Sequence, residues 1–171
     1  ITAKDGADNQ SWLYLPAGIS PKVIVFFHGN ASNLAGRAEK VRPLIDAGYG
    51  VLLVGYRGYE NNVGAPSQQG LFADARAAGD YLHADRHIPL SDMIFYGESL
   101  GSGVATQMAS EYPGIAALVL EVPFDSALAV AQARYPFVVG LSYLMKDPYR
   151  SDVLIPHLTM PKLIVAAQQD E

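Results

Sequence analysis

The sequence predicts an α/β fold in which a mostly parallel sheet carries helices on both faces. Short runs of β-branched and aromatic residues alternate along the chain with longer stretches of helical periodicity. This alternation is typical of parallel sheets, because each strand-to-strand connection must cross back over the sheet. Of the 171 residues, 50% are hydrophobic and 17% are charged, which suffices to form the core of one domain.

Five apolar runs are expected to form buried strands with both faces covered, because they are continuous rather than alternating. They span residues 22–28, 50–56, 92–98, 116–122 and 162–168. An additional strand is expected in residues 9–18, antiparallel and on the N-terminal side of the sheet.

Three helices are expected between the strands. The first spans residues 36–47, and the third spans residues 100–111. The second follows Pro66, with Ser67 as its N-cap, and continues to about residue 84. Apolar residues recur along it at helical spacing: Leu71, Ala75, Ala78 and Leu82.

The charge of the chain disfavours nucleic acid and anionic membrane surfaces as partners. The net charge is −5, the isoelectric point is near 5.3, and the 12 lysines and arginines never form a run. The absence of cysteine excludes a disulfide scaffold and a cysteine nucleophile. The longest apolar stretch, residues 136–145, is about half of the ~20 residues that a membrane-spanning helix needs, so no span is expected within this sequence.

The two ends of the sequence suggest a single domain over residues 1–171 that is incomplete at both ends. The chain begins at Ile1 rather than methionine, and it ends abruptly at Glu171. Two locations are compatible with the sequence: the cytoplasm, or a membrane to which a segment before Ile1 would anchor the protein.

The pentapeptide Gly97-Glu98-Ser99-Leu100-Gly101 joins a predicted strand to a predicted helix. That is the context of the G-x-S-x-G nucleophile elbow, in which a strained turn lifts the serine oxygen above the sheet. One alternative is a glycine-rich turn with a capping serine. A dinucleotide-binding fingerprint is the weaker alternative, because Thr106 stands where its third glycine or alanine should be.

Acyl transfer through a serine also needs hydrogen-bond donors for the oxyanion of the transition state. One donor is expected to be the backbone N–H of Leu100, directly after the nucleophile. The segment "HGNAS" (28–32) follows an earlier strand, and there Asn30 would supply the second N–H while Gly29 allows close approach. His28 is expected to be a packed, hydrogen-bonded side chain that does not touch substrate.

Several stretches of the sequence together resemble the alpha/beta-hydrolase superfamily, most nearly its small lidless serine-hydrolase branch. They are "VIVFFHGNASNLAGR", "VLLVGYRGY", "GLFADARAAGDYL", "IFYGESLGSGVA", "LVLEVPF" and "MPKLIVAAQQDE". The resemblance covers nearly the whole chain. That branch includes membrane-anchored esterases and protein depalmitoylating thioesterases.

The resemblance implies Ser99 as nucleophile, Asn30 and Leu100 as oxyanion donors, and Asp170 as the carboxylate that orients a histidine. That histidine would lie downstream of Asp170, but the sequence ends at Glu171. The fold is therefore expected to be truncated before its last strand and helix. None of the four histidines present is expected to replace the missing base.

The function expected on these grounds is a serine hydrolase that cleaves a carboxylic ester or thioester through an acyl-serine intermediate. Its substrate would be a small-molecule or acyl-protein ester, and no metal or organic cofactor is needed. The alternatives are a serine peptidase of the prolyl-oligopeptidase type and a non-catalytic binding module. A dehalogenase or epoxide hydrolase is disfavoured, because those enzymes place an aspartate where Ser99 stands.

Four further features carry smaller expectations. Phe124 either lines an acyl pocket or packs in the core, and residues 125–150 form either a flap or a packed helix. Glu60 stands where the resemblance implies the last glycine of a Y-R-G-Y-G loop. Arg57 is expected to be structural, and Glu98 to be a hydrogen-bond partner behind the nucleophile.

Overall fold

The mostly parallel sheet with helices on both faces is confirmed by a computed structural model, which describes residues 1–17, 22–30, 34–134, 137 and 145–166. Six strands form one sheet in the order β1-β3-β2-β4-β5-β6. β1 pairs antiparallel with β3, as expected, and the other neighbours are parallel. The strands are β1 (Trp12–Tyr14), β2 (Val23–Phe27), β3 (Gly50–Val54), β4 (Met93–Glu98), β5 (Ala117–Glu121) and β6 (Lys162–Val165).

Helices cover both faces of this sheet. They are α1 (Leu34–Asp46), α2 (Gln68–Asp80), α3 (Leu100–Glu111), α4 (Ala127–Arg134) and the short α5 (Ser151–Leu154). The N-cap predicted at Ser67 is confirmed, since its Oγ accepts the N–H of Gly70 at 3.1 Å. The second helix changes pitch where the sequence predicts an uninterrupted helix, because residues 81–85 form a π-helical turn.

The core lies on the two faces of the central strand β2, whose residues are all buried. Val25 and Phe27 face α2 and α3, while Ile24 and Phe26 face α1. The four apolar residues that the sequence places at helical spacing in the second helix are all buried in the α2–α3 layer: Leu71, Ala75, Ala78 and Leu82. Their period matches that of the helix, so one stripe of side chains meets the sheet.

The expectation that every parallel strand is covered on both faces is wrong for β6. All four of its residues are exposed, and Leu163 and Ile164, which point to opposite faces, keep 57% and 53% of their surface. β5 alternates between buried and half-buried residues, so it is fully covered on one face only. Continuous apolar composition predicts that a strand needs cover on both faces, but only β2 and β3 are buried at every position among the described strands, and β4 alternates as β5 does.

Arg57 ties the loop after β3 to α2 and is structural, as expected. Its guanidinium lies 2.6 Å from the fully buried carboxylate of Asp74, and its backbone N–H donates to the same carboxylate at 2.9 Å. Asp5 pairs with its outer edge at 2.7 Å. Among the described residues, no helix combines the length and apolar character needed to cross a membrane.

Because β2 to β6 run parallel, their carboxyl ends meet at one edge of the sheet. This edge carries Ser99 after β4, the turn of residues 28–30 after β2, the loop of residues 55–67 after β3, and residues 122–126 after β5. In open α/β sheets this is the edge where ligands bind.

Candidate functional site

Ser99 adopts a strained backbone between β4 and α3. Its φ of 49° and ψ of −116° lie in a region that non-glycine residues rarely occupy, at a cost of about 1–3 kcal/mol. Two hydrogen bonds hold it there: its N–H donates to Glu121 O at 2.9 Å, and its carbonyl accepts from the N–H of Ser102 at 2.8 Å. The side chain is exposed, so the strain presents a hydroxyl to solvent.

The two glycines that flank Ser99 are required for different steric reasons. A Cβ at Gly97 would lie 2.3 Å from Gly101 O, so a side chain there would collide with the turn. A Cβ at Gly101 would lie 1.9 Å from Phe27 O on the neighbouring strand. Gly101 therefore serves the close approach of α3 to β2 rather than the turn itself.

The structure brings the turn of residues 28–30 against Ser99. A Cβ at Gly29 would come within 3.2 Å of Ser99 Cβ and 3.3 Å of Glu98 O, so only a small residue allows this approach. Asn30 is exposed beside it, and Leu100 begins α3, where the first N–H groups have no acceptor within the helix. Their function as oxyanion donors stays a prediction.

His28 is packed below this turn, with 1% of its surface exposed. Its Nδ1 lies 2.8 Å from Gly29 O, and its ring centroid lies 4.5 Å from that of Tyr56 and 5.3 Å from that of Tyr59. Its Nε2 is buried without a hydrogen-bond partner in the described chain. Burial lowers the pKa of His28 and so favours the neutral ring. The packing of that ring against Tyr56 and Tyr59 agrees with the expectation that His28 is a packed side chain.

The other three histidines lie away from the carboxyl edge. His83 lies in the π-helical turn, with Nδ1 3.1 Å from Ile88 O, and His87 lies in the loop that leads to β4. His157 ends a 3₁₀ turn before β6. All three therefore precede strands and sit toward the amino edge. Asp170, the predicted carboxylate, lies outside the described residues.

Tyr59 and Glu60 contact both sides of the connection between β2 and α1. The Tyr59 hydroxyl donates to Asn30 Oδ1 at 2.6 Å. The Glu60 carboxylate accepts the N–H of Leu34, the first residue of α1. Glu60 itself has a φ of 55°, the left-handed conformation that a glycine would adopt without strain. The sequence marks Glu60 as unusual, but nothing local marks Tyr59.

Glu98 belongs to an ion-pair network on the α1 face of the elbow. Arg37 Nε lies 3.1 Å from Glu98 Oε2, while Lys40 Nζ lies 3.1 Å from Glu98 Oε1 and 2.6 Å from Glu121 Oε2. Tyr96 also donates to Glu121 at 2.8 Å. Glu98, which the sequence predicts to be a hydrogen-bond partner behind the nucleophile, thus forms ion pairs with Arg37 and Lys40. Two basic residues three apart on one helix were the signal that could have pointed to this network.

The charges of this network shift the ionisation of Glu121. Burial opposes its ionisation, but the ion pair with Lys40 and the hydrogen bond from Tyr96 outweigh burial and hold its pKa below the usual value. Glu121 also supplies the carbonyl that holds the N–H of Ser99. The network therefore stabilises the ends of β4 and β5, which hold Ser99 through the chain and through the hydrogen bond to Glu121 O.

Phe124 is half-buried after β5, and its ring centroid lies 6.4 Å from that of Tyr149. It packs against the core cluster of the α2–α3 layer, which agrees with the packing alternative, and an acyl pocket at this position stays a prediction. Val122, two residues earlier, has a φ of 47°, which is unusual for a β-branched residue. Residues 125–150 are expected to form a flap or a packed helix, and of these residues 135–136 and 138–144 lie outside the described part of the chain.

The fold agrees with a comparison to known families. A family model described as alpha/beta hydrolase fold matches residues 22–170, and the chain belongs to this family. A crystal structure of an alpha-beta hydrolase from Vibrio vulnificus superposes with a TM-score of 0.78 at 26% identity, over 86% of this chain and 57% of that one.

Two curated relatives are similar along almost the whole chain. An uncharacterized protein of Mycobacterium tuberculosis strain H37Rv is 39% identical over 100% of this chain and 60% of its own length. Lysophosphatidylserine lipase ABHD12 of Macaca fascicularis is 30% identical over 95% of this chain and 45% of its own length. The chain thus spans 60% or less of the length of these relatives.

Proposed function

We propose that the protein is a serine hydrolase that cleaves a carboxylic ester or thioester, with Ser99 as its nucleophile. The observation that carries this proposal is the strained, exposed backbone of Ser99 at φ 49° between β4 and α3. Strain of this kind persists only where the surrounding structure enforces it, and it clusters at functional sites.

Membership of the alpha/beta hydrolase family supports hydrolytic chemistry, and the name of one relative supports an ester as the substrate. The relative in Macaca fascicularis is named a lipase, whose substrate is a carboxylic ester. Ser99 is exposed at the sheet edge, where a substrate can approach it. Thioesters react by the same acyl transfer, so the proposal includes both leaving groups.

The proposed reaction has two acyl-transfer steps. Ser99 Oγ attacks the acyl carbonyl carbon and passes its proton to a histidine, which then protonates the leaving alcohol or thiol. Water then attacks the acyl carbon and passes a proton to the histidine; the bond from the acyl carbon to Ser99 Oγ breaks, Oγ takes the proton back, and the acid leaves. The backbone N–H groups of Asn30 and Leu100 would bind the oxyanion that forms in each step.

The general base of this reaction must come from outside the chain's own histidines, since His28 is packed and the others lie toward the amino edge. We place it in the part of the protein beyond this sequence, with Asp170 as the carboxylate that orients it. This assignment rests on the family pattern, and every test of activity therefore uses the full-length protein.

The test compares Ser99→Ala with Ser102→Ala in the full-length protein. Ser102 is a buried serine of α3 whose Oγ has no hydrogen-bond partner in the described chain, so it is a matched control. We expect Ser99→Ala to abolish hydrolysis of p-nitrophenyl butyrate. The variant should also form no covalent adduct with a fluorophosphonate probe, as detected by intact mass. Ser102→Ala should retain both. Hydrolysis that persists in Ser99→Ala would refute the proposal, and an unlabelled, inactive wild type would favour a binding module.

A further inference from the structure

We propose that Tyr59 and Glu60 form a positioning clamp that holds Asn30 and the start of α1, so that the Asn30 N–H faces Ser99. The inference rests on the proposed function, because an oxyanion donor matters only if Ser99 forms a tetrahedral intermediate. Neither residue contacts the reacting atoms in this proposal. They act through Asn30 and Leu34.

The Tyr59 arm of the clamp is a short hydrogen bond from a fixed ring. The hydroxyl lies 2.6 Å from Asn30 Oδ1. The ring packs edge-on against His28 and Tyr56, with centroid distances of 5.3 Å and 5.8 Å, so the donor cannot move freely. Burial raises the pKa of Tyr59, and the hydroxyl therefore stays protonated as a donor at neutral pH.

The Glu60 arm explains why a strained glutamate stands at a position where the resemblance implies glycine. A glycine would adopt the observed φ of 55° without strain, but it has no side chain to accept a hydrogen bond. The Glu60 carboxylate accepts the N–H of Leu34 at the first residue of α1. A negative charge is favourable there, since the helix N-terminus carries the positive end of the macrodipole.

The loop that carries the clamp is itself anchored, so it can impose a position on its neighbours. Arg57, two residues before Tyr59, is bonded through its backbone and its side chain to the buried carboxylate of Asp74. On the other side, Asn62 donates its N–H to Tyr59 O at 3.0 Å and accepts the N–H of Gln10 at 2.8 Å. The clamp therefore links Asn30 to the core through rigid contacts.

The first test is Tyr59→Phe in the full-length protein, because it removes the hydroxyl and keeps the ring. We expect kcat for p-nitrophenyl butyrate to fall about tenfold to a hundredfold, with KM within twofold, because a misplaced donor stabilises the transition state less. Tyr112→Phe is the matched control. It removes a hydroxyl bonded to Asp80 at the same 2.6 Å, but at the far end of α3. It should leave kcat unchanged.

A double-mutant cycle tests whether Tyr59 acts through Asn30. In an Asn30→Ala background, Tyr59→Phe should cause no further loss of kcat, since its acceptor is already gone. The Glu60 arm is tested by rescue. Glu60→Gln keeps an oxygen acceptor and should retain kcat within threefold, whereas Glu60→Gly should lose it about tenfold despite relieving strain.

The outcomes separate this proposal from the proposed function. If Ser99→Ala is inactive while Tyr59→Phe and Glu60→Gly keep wild-type kcat, the clamp is refuted and the hydrolase stands. Additive losses in the Asn30→Ala background also refute the clamp. If Ser99→Ala remains active, the proposed function fails, and the catalytic role of the clamp fails with it.

Discussion

Three residues with a left-handed backbone lie at the carboxyl edge of the sheet: Glu60, Ser99 and Val122. Each costs about 1–3 kcal/mol, and backbone hydrogen bonds hold two of the three. Ser99 is held by Glu121 O, and the N–H of Val122 donates to Val165 O at 2.8 Å. These three are among the five non-glycine residues with positive φ in the described part of the chain, and the other two are His87 and Tyr149.

His28 provides a prediction at the same scale, because its pKa is lowered by burial. Below about pH 6.5 the unfolded chain binds a proton that the folded ring resists, so stability is lost as pH falls. We expect the melting temperature to drop between pH 7 and pH 5, and His28→Gln to flatten that drop. His157→Gln, which alters an exposed histidine, is the control. An equally steep drop in His28→Gln would contradict the prediction.

At the scale of elements, the contact between α1 and the elbow depends on charge. Glu98 and Glu121 are directly opposite each other across β4 and β5, and like charges in that relation destabilise a sheet. Lys40 of α1 lies between them, within 3.1 Å and 2.6 Å of their carboxylates. The helix therefore stabilises the strand pair as well as covering it.

Lys40→Met should lower the free energy of unfolding by about 2 kcal/mol, because it leaves the partly buried Glu121 carboxylate without its cation, while Glu98 keeps its pair with Arg37. The comparison is Arg42→Met on the same helix, which breaks an exposed pair with Asp46 and should cost less than about 0.5 kcal/mol. Urea denaturation measures both. Adding Glu121→Gln to Lys40→Met should recover part of the loss. Equal costs for the two single variants would refute this account.

At the scale of the whole molecule, the strands of the sheet are not equally buried. β2 is hydrogen-bonded on both sides and its residues are at most 4% exposed. Within the described residues, β6 pairs with β5 alone, and it is exposed at every position. Local stability follows burial and hydrogen bonding, so the sheet should open from the β6 side first.

Hydrogen exchange followed by mass spectrometry tests this difference. Peptides from β2 should be protected at a level close to global unfolding, and peptides from β6 should exchange orders of magnitude faster. β4, which is also central, serves as the internal reference for slow exchange. Equal protection of β6 and β2 would contradict this prediction.

The sequence could predict the features that depend on neighbouring residues. The strands, the Ser67 cap and the position of Ser99 follow from local composition and from a five-residue motif. The hydrogen bond from Tyr59 to Asn30 joins residues 29 apart, and the Glu60 contact with Leu34 spans 26. Such contacts depend on how loops meet in three dimensions, which no local pattern encodes. The exposure of β6 was missed for a related reason, since composition indicates a need for cover without identifying its source.

The ion pairs of Lys40 also bear on the order in which the protein is made. Lys40 emerges from the ribosome before Glu98, and Glu98 before Glu121, since synthesis runs from the N-terminus. The neutralising cation is therefore already part of the growing chain when each carboxylate is synthesised. Vectorial synthesis thus spares the growing chain an intermediate in which two like charges meet without their counterion.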